Sequence, residues 1–377
     1  MTATATDQDR AHLRRALALA ERGVGHVSPN PPVGAVVVGP DGDVIGEGWH
    51  AELGGVHAEV AALTDAREKG NDPAGATIYV SLEPCAHQGR QPPCTDAILA
   101  AGIGRVVIGT DDPTDKASGR GPGILRDDDI EVVFADGAEA TAARQLVQAF
   151  RKHATTGRPL VTLKSALSLD GFTATSGGDS KWISAPESRA LVHRWRAEAD
   201  AVAVGIGTVL ADDPLLTARD VEDPDSVAQP ARVVFDSNAR LPLGSKLIAS
   251  IGEAPLYVVV STEADPGHVA RLRDAGAEVI APDGGRERRL EGALTALGGA
   301  GIASLLVEGG AELAGSLLVG EHVDQLRMFI APILLGSGRP LAIGVGGEKV
   351  ADAIAPLSVS WEPSGPDMLA SARLKEW

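Results

Sequence analysis

The chain has 377 residues, of which 44% are hydrophobic and 3% aromatic, and its formal net charge is -17. This length favours two domains, and the apolar content is sufficient for each domain to bury a core of its own. Non-specific nucleic-acid binding depends on Lys and Arg side chains that neutralise phosphates, so the acidic balance argues against a nucleic-acid partner. A small basic pocket for a single phosphate remains compatible with it.

The N-terminal segment lacks the apolar stretch and small-residue cleavage site of a secretory signal. The longest apolar runs, such as 35–38 and 256–260, are far shorter than the roughly 20 residues of a membrane-spanning helix. We therefore expect a cytoplasmic protein without a membrane partner. The chain has two cysteines. In a cytosolic protein, cysteines this close in sequence more often bind a metal or act in catalysis than form a disulfide.

In the first 150 residues, apolar strands alternate with amphipathic helices, a pattern that predicts helices packed on a central sheet. Leu13, Ala16, Leu17 and Ala20 recur at helical spacing and predict the first helix. Further helices are predicted at 57–69, 95–101 and 138–153, and strands at 35–38, 44–49, 78–82, 106–108 and 130–134.

Residues 154–159 are the predicted linker, and the predicted domains are 1–154 and 160–377. A second series of elements follows the linker. Its strands are predicted at 161–165, 201–204, 232–236, 256–260, 278–280, 304–307 and 325–330, with a helix at 311–318. The stretch 265–297 is polar and rich in glycine around Asp283, so it is predicted to form exposed loops.

A possible metal site links two of the predicted elements of the first half. His57 and Glu59 stand at the predicted start of a helix, and Cys85 and Cys94 follow the next predicted strand. One imidazole and two thiolates make a three-ligand zinc site with a fourth position for water, whose pKa the metal lowers towards neutrality. Glu59 is not needed as a ligand and is predicted to carry the water proton to a leaving amine. This is the pattern of zinc deaminases.

Other interpretations of these residues remain open. A structural zinc site would need a fourth ligand, for which His87 is a candidate. A zinc-stabilised interaction module gives no reason for Glu59, and the acidic charge speaks against a base editor of nucleic acids. The two cysteines are farther apart here than in the usual P-C-x-x-C motif, and the added residues bring His87, Gln88 and Arg90 beside the metal. We predict that His87 and Arg90 contact the substrate; the alternative is a solvated loop.

Taken together, these motifs resemble the bifunctional deaminase-reductase family of riboflavin biosynthesis. In the first half the resemblance rests on SPNPPVGAVVV (28–38), HAEVAAL (57–63), YVSLEPCAHQGRQPPC (79–94) and AGIGRVVIG (101–109). In the second half it rests on VTLKSALSLDG (161–171), SKWIS (180–184), ADDPLLTAR (211–219), VFDS (234–237), VEGGAELAGSLL (307–318) and IAPILLG (330–336). It covers nearly the whole chain and is weakest between residues 239 and 297.

The resemblance implies an α/β protein with an N-terminal cytidine-deaminase-like αβα domain and a dihydrofolate-reductase-like α/β domain. It also implies two cofactors, Zn²⁺ and NADPH. A 2,5-diamino-6-ribosylamino-pyrimidinone 5′-phosphate would lose its 2-amino group as ammonia, and NADPH would then reduce the ribosyl group to a ribityl chain. Asn30 matches the asparagine that the family uses against the pyrimidine. The sequence leaves a homo-oligomer open.

The resemblance also implies the residues of the reductase site. The residues implied at the NADP site are Ala166, Trp182, Thr208, Asp212, Ser237, Gly310, Ala311, Glu312, Leu313, Ala314, Gly315 and Ser316. Those implied at the substrate are Ser180, Arg196, Leu216, Arg219 and Glu308.

In the first half, the sequence departs from the family at one loop, where the family's Asp-Pro-Asn-Pro is replaced by Asp112-Pro113-Thr114-Asp115. An added carboxylate there is unfavourable for anion binding, so the departure bears on substrate affinity.

The residues of the second half also support this interpretation on physical grounds. The turn at Gly309 and Gly310 follows an apolar strand and opens a helix, whose free N–H groups suit a phosphate. Lys164 lies in an apolar run, where a lysine is costly unless it has a partner, and is predicted to face the cleft. Guanidinium groups bind phosphate bidentately, which suits Arg196 and Arg219. A degraded reductase domain is the competing interpretation, but these signatures are all present.

Overall fold

The computed structural model describes residues 4–89, 91–114, 117–219 and 229–377. The chain forms two compact units, one ending at Gly157 and the other spanning Arg158–Glu376. The predicted bounds of two functional domains, 1–154 and 160–377, stay a prediction. None of the helices in the described part of the chain combines the length and hydrophobicity that a membrane span requires.

The first unit is built on a single five-stranded sheet. Its helices are α1 (Asp7–Glu21), α2 (Ala58–Glu68), α3 (Cys94–Ala100), α4 (Arg120–Asp127), α5 (Gly137–Leu146) and α6 (Gln148–Thr156). Its strands are β1 (Gly34–Val38), β2 (Val44–Trp49), β3 (Thr77–Val80), β4 (Arg105–Ile108) and β5 (Glu131–Phe134). The strand order is β2-β1-β3-β4-β5. β1 is antiparallel to β2 and β3, whereas β3, β4 and β5 are parallel.

Helices cover both faces of this sheet. On one face, Leu13 of α1 packs in a core with Val36 of β1. On the other face, Ala62 of α2 and Ile98 of α3 pack in a core with Val37. Neighbouring residues of a strand point to opposite faces, which is why Val36 and Val37 belong to different cores. The predicted αβα arrangement is confirmed.

The C-terminal part of this unit differs from the prediction. The helix expected at 138–153 is divided into α5 and α6 at Val147, which adopts φ −99° and ψ 11°. The linker predicted from residue 154 is also wrong at its start, because α6 continues to Thr156 and ends at Gly157 in the left-handed region. Helix α4 was not predicted. It begins after Gly119, another glycine with positive φ.

The second unit contains one large sheet and a small two-stranded sheet. Its helices are α7 (Pro186–Glu198), α8 (Ile206–Asp212), α9 (Lys246–Ala249), α10 (Pro266–Asp274), α11 (Arg286–Gly299) and α12 (Ala311–Val319). Its strands are β6 (Leu160–Ser168), β7 (Phe172–Thr175), β8 (Ala201–Gly205), β9 (Ala231–Phe235), β10 (Leu256–Val259), β11 (Glu278–Ile280), β12 (Ser304–Glu308), β13 (Gln325–Ala331), β14 (Gly338–Pro340), β15 (Ser358–Ser364) and β16 (Asp367–Arg373).

The large sheet has nine strands in the order β11-β10-β9-β8-β12-β6-β13-β16-β15. The seven strands from β11 to β13 are parallel, and β16 and β15 form an antiparallel edge. β7 and β14 pair separately. All seven parallel strands were predicted, because buried strands of parallel sheets are near-continuous apolar runs. The strands β7, β14, β15 and β16 were not.

The prediction of exposed loops at 265–297 is wrong. The Asp265 carboxylate caps α10 by accepting the main-chain N–H groups of Gly267 and His268 at 3.1 and 3.2 Å. In α11, one apolar face is buried in the core of the unit by Leu290, Ala293, Leu294 and Leu297. These positions follow helical spacing, and the polar composition of the segment belongs to the solvent-facing side.

The contact between α2 and β2 in the first unit depends on glycine. A Cβ atom at Gly48 would stand 2.4 Å from the main-chain nitrogen of Ala62 and 2.7 Å from the carbonyl oxygen of Ala58. A Cβ atom at Gly46 would stand 2.3 Å from the carbonyl oxygen of Ala62. Backbone cannot yield as a flexible side chain can, so α2 would have to move away from the sheet.

We therefore expect Gly48→Ala to destabilise the first unit by about 1–3 kcal/mol, the usual cost of overpacking. This corresponds to a fall in melting temperature of roughly 2–12 °C. The matched control is Gly123→Ala in α4, where an added Cβ has no neighbour within 4 Å. The control should be neutral or slightly stabilising, because alanine favours helix. Equal melting temperatures of the two variants in thermal unfolding would contradict the close contact.

Candidate active sites

The predicted zinc ligands converge at one end of the first sheet. His57 immediately precedes α2, Cys94 is the first residue of α3, and Cys85 lies in the loop after β3. Their ligand atoms all lie within 4.8 Å of one another. The His57 Nδ1 atom is 3.2 Å from the Cys94 Sγ and 3.6 Å from the Cys85 Sγ.

The composition of this cluster fits a catalytic zinc site. Among the described residues, the group that can hold a metal consists of His57, Cys85 and Cys94 and does not include His87. Structural zinc sites generally have four protein ligands, whereas catalytic sites have three and an open position. The arrangement therefore favours a catalytic metal over the structural alternative.

Electrostatics at the cluster suit this chemistry. The hydrogen bond with Cys94 lowers the pKa of the Cys85 thiol to about 4, which favours the thiolate that binds metal. Glu59, in the first turn of α2, is only 4% exposed. Burial, together with the charge of Cys85, raises the pKa of Glu59 to about 7. A carboxyl group with such a pKa can accept and return a proton near neutral pH.

A cavity of about 460 Å³ opens beside these residues. Because β1 is antiparallel to β2 and β3, the start of β1 and the ends of β2, β3 and β4 all lie at one edge of the sheet. Each of these four connections contributes to the cavity wall. Its lining includes Asn30, His50, His57, Glu59, Glu83, Cys85, His87, Asp112, Thr114 and Phe150.

The predicted substrate residues of this half have different outcomes. Asn30 and His87 line the cavity together with His57 and Cys85 of the zinc cluster. Arg90 lies outside the described residues. Thr114 and Asp115 stand where the family has Asn and Pro. Thr114 lines the cavity, and its main-chain N–H donates to the Asp112 carboxylate at 2.8 Å. Asp115 lies outside the described residues.

Three residues of the cavity wall were missed by sequence reasoning. His50 follows β2, and its Nε2 lies 3.3 Å from the Asn30 amide nitrogen while its Nδ1 lies 3.0 Å from the Val56 carbonyl oxygen. His50 therefore orients Asn30. The only sequence signal is a histidine directly after a predicted strand. Glu83 and Phe150 also line the cavity, and neither carries a recognisable signal.

In the second unit, the residues implied at the NADP site come from neighbouring strands. Ala166 lies in β6, Gly310 follows β12, Thr208 lies just after β8, and Ser237 follows β9. These four strands are adjacent and parallel in the sheet. The carboxyl ends of parallel strands form the usual ligand-binding edge of an open α/β sheet. The fold thus brings the four positions to one edge.

The glycine turn before α12 is open at its start and closed further along. Gly309 and Gly310 have φ angles of 73° and 87°, which glycine adopts without strain. Thr208 Oγ1 stands 3.9 Å from the place of a Gly310 Cβ. In contrast, a Cβ at Gly315 would stand 1.8 Å from the Ile343 carbonyl oxygen, so this glycine serves a contact within the protein. The following members of the implied set are buried in the helix: Leu313, Ala314 and Gly315.

Three charged side chains meet at the same edge. Glu308 of β12 is in register with Lys164 of β6. The Arg196 guanidinium of α7 donates from Nε and Nη2 to the two Glu308 oxygens at 2.6 and 2.9 Å. Its Nη1 donates to the Thr217 carbonyl oxygen at 3.0 Å. The fork that was expected to bind phosphate is therefore engaged by Glu308, whereas the Arg219 side chain is exposed.

The remaining implied residues lie around the segment before α7 and the end of α8. Trp182 is 69% exposed, and the Arg189 guanidinium stacks 4.6 Å from the centre of its ring. Asp212 forms an ion pair of 2.6 Å with Lys181, the residue before Trp182. This ion pair connects the segment around Trp182 to the end of α8. The other implied residues in partly accessible positions are Ser180, Ala311 and Ser316, while Glu312 is exposed and Leu216 is buried.

Comparison with known proteins accounts for both units. A family model described as "RibD C-terminal domain" matches residues 159–369. A second, described as "Cytidine and deoxycytidylate deaminase zinc-binding region", matches residues 6–110. The riboflavin biosynthesis protein RibD of Aquifex aeolicus is 43% identical over 336 residues, which are 89% of this chain and 90% of that protein. The protein of the same name from Escherichia coli is 40% identical over 356 residues, 92% and 94% of the two chains.

Two solved structures of full-length relatives superpose on nearly the whole chain. A diaminohydroxyphosphoribosylaminopyrimidine deaminase/5-amino-6-(5-phosphoribosylamino)uracil reductase of Thermotoga maritima superposes with a TM-score of 0.84 at 38% identity, covering 97% of this chain and 98% of that one. RibD of Acinetobacter baumannii superposes with a TM-score of 0.85 at 36% identity and the same coverage. The chain therefore belongs to the RibD family of bifunctional enzymes, which join a zinc-dependent deaminase to an NADPH-dependent reductase in riboflavin biosynthesis.

Proposed function

We propose that the first unit deaminates 2,5-diamino-6-ribosylamino-4(3H)-pyrimidinone 5′-phosphate and that the second reduces the ribosyl group of the product to a ribityl chain. The observation that carries the first half of the proposal is the cluster of His57, Cys85 and Cys94, whose ligand atoms lie within 4.8 Å beside the buried Glu59. The T. maritima relative is named for the same pair of reactions.

In the deaminase site, His57, Cys85 and Cys94 would hold the zinc, which would supply an acidified water molecule as the nucleophile. Water adds at C2 and ammonia leaves, so the amidine becomes a carbonyl. Glu59 takes the proton from the attacking water and returns it to the departing amine. Asn30, oriented by His50, holds the pyrimidine. His87 contacts the substrate from the cavity wall, and we assign Arg90 the same role from its position in the sequence.

In the reductase site, NADPH supplies the hydride, and the protein binds and orients the two reactants. We assign the NADPH phosphates to the turn at Gly309 and Gly310, which has positive φ angles and leads into the N-terminus of α12, where main-chain N–H groups suit an anion. Glu308 and Lys164 lie in register on neighbouring strands and are assigned to the ribose hydroxyl groups.

The substrate phosphate is assigned chiefly to Arg219. The Arg219 side chain is exposed at the end of the segment 216–219. The Arg196 guanidinium, in contrast, is hydrogen-bonded to Glu308 and to the Thr217 carbonyl oxygen. Arg196 thus connects the group that holds the ribose with the segment that holds the phosphate. The absence of a nucleic-acid partner is supported by the net charge of -17. A homo-oligomer and a cytoplasmic location stay predictions.

The metal assignment predicts that Cys85→Ser and Cys94→Ser each lose zinc, because a hydroxyl group is a much weaker zinc ligand than a thiolate. Wild-type protein should contain one zinc per chain by elemental analysis, and both variants substantially less. Ser118→Ala, a change that removes a hydroxyl group elsewhere in the chain, serves as the control and should retain the metal. Full zinc content in both cysteine variants would exclude this ligand set.

The proton-transfer assignment predicts that Glu59→Gln retains zinc but releases ammonia about 10²–10⁴-fold more slowly, the usual contribution of general acid–base catalysis. The matched control is Glu68→Gln, an exposed glutamate of the same helix. It should deaminate at the wild-type rate. Loss of zinc in Glu59→Gln would make Glu59 a ligand, and a wild-type rate would assign the proton transfer to another group.

The reductase assignment predicts that Lys164→Met and Glu308→Gln slow NADPH oxidation on the deaminated substrate by roughly 10- to 100-fold, the scale of a lost buried hydrogen-bonding partner. Ammonia release by the same preparations should stay near wild type, because each reaction has its own site. The loss in Glu308→Gln should lie mainly in the KM for the pyrimidine, while NADPH affinity is retained.

The control for this pair is Lys246→Met, an exposed lysine on α9. A parallel fall of both activities in the Lys164 and Glu308 variants would mean that these residues maintain the fold. Unchanged NADPH oxidation would mean that the ribose binds elsewhere.

A further inference from the structure

The segment 216–219, to which we assign the substrate phosphate, is held by side chains rather than by a neighbouring strand. Arg196 donates to the Thr217 carbonyl oxygen at 3.0 Å. The Gln229 amide bonds both main-chain groups of Ala218, accepting from its N–H at 2.9 Å and donating to its carbonyl oxygen at 3.1 Å. The form of this segment therefore depends on a few identifiable polar groups.

His193 supplies the last of these bonds. It lies on α7, one turn before Arg196, and its Nδ1 atom is 3.2 Å from the main-chain nitrogen of Arg219. A main-chain N–H can only donate, so Nδ1 must be the acceptor and the ring proton must be on Nε2. The bond thus requires a neutral imidazole in one tautomer.

We propose that His193 is a positioning residue of the reductase: its neutral imidazole accepts the Arg219 N–H and so holds the Arg219 guanidinium where it meets the phosphate of the substrate. The inference rests on the proposed function, because it takes Arg219 as the phosphate ligand. His193 acts through Arg219 and does not itself touch the substrate. A protonated imidazole has no acceptor at Nδ1, so protonation breaks the bond and frees the segment at that point.

The charged groups around His193 keep it neutral at physiological pH. Burial and the positive charges of Arg196 and Arg219 lower the pKa of His193 from its usual range, while the Thr217 carbonyl and Glu308 act in the opposite direction. Arg196 lies on the same helix, Arg219 on the segment and Glu308 on β12. Because the pKa is lowered, the bond is fully present above about pH 6.5, the ordinary imidazole value, and is lost only as the pH falls through the lowered pKa of His193.

The substitutions that test this are His193→Asn and His193→Ala in the full-length chain. The Asn Oδ1 atom is attached to Cγ, as His Nδ1 is, so the asparagine retains an acceptor that does not titrate, whereas alanine removes it. At pH 7.5 we expect the KM for the deaminated pyrimidine phosphate to be near wild type in His193→Asn. In His193→Ala it should rise about three- to tenfold, the effect of one lost hydrogen bond. The KM for NADPH and kcat should change little in either variant.

The pH dependence separates positioning from a merely structural role. Between pH 7.5 and 5.5 the wild-type KM should rise relative to that of His193→Asn, and His193→Ala should parallel the asparagine variant. The substrate phosphate itself has a pKa near 6, but its titration affects all three proteins equally and cancels in the ratio. If His193→Ala does not fold, the pH dependence of the ratio between the wild-type KM and the His193→Asn KM still tests the inference.

Two results would overturn the inference. One is a ratio of the wild-type KM to the His193→Asn KM that is independent of pH. The other is a KM at pH 7.5 that is the same in His193→Ala as in wild type. The proposed function fails separately, when Glu308→Gln leaves NADPH oxidation unchanged or Arg219→Ala leaves the KM unchanged. Normal behaviour of the His193 variants together with impaired Glu308 and Arg219 variants would discard the role of His193 alone.

Discussion

Both active sites depend on one constraint of β-sheet geometry, namely that parallel strands end at the same edge and an antiparallel strand begins there. In the first unit this edge collects the connections after β2, β3 and β4 and the one before β1, and they form the cavity around the zinc ligands. In the second unit it collects the ends of β9, β8, β12 and β6. Residues far apart in the chain thereby become neighbours. The two sites have unrelated chemistry, and what they share is this edge.

The two units treat buried charge in opposite ways. Burial and the charge of Cys85 raise the pKa of Glu59 to about 7 against the opposing charge of His57, which suits a group that must gain and lose a proton. Glu308 is partly buried, which acts to raise its pKa, but Arg196 and Lys164 hold that pKa below its usual value. A permanently ionised carboxylate suits a group that binds and does not exchange protons. The environment, and not the residue type, therefore separates a proton carrier from a binding group.

The sequence predicted elements well where one element buries one continuous apolar pattern. The αβα layers of the first unit and all seven parallel strands of the second were recognised in this way. The sequence-based prediction failed at 265–297, where glycine and charged residues obscured a buried helix face. That face is formed by Leu290, Ala293, Leu294 and Leu297. The prediction also missed β15 and β16. Most of β15 is exposed, so it lacks the alternation of buried and exposed residues by which a strand is recognised.

The sequence by itself identified the cluster of His57, Cys85 and Cys94 with Glu59 beside it, because His57 and Glu59 share one helix start and the two cysteines share one connection. Motifs of this kind are local, and their spacing survives in any structure that forms the elements. Tertiary structure decided the rest. It set the partner of Arg196, which is 112 residues away at Glu308, and the place of His50 beside Asn30. It also set the bond between His193 and Arg219. Such contacts depend on strand order and helix docking, which no local pattern encodes.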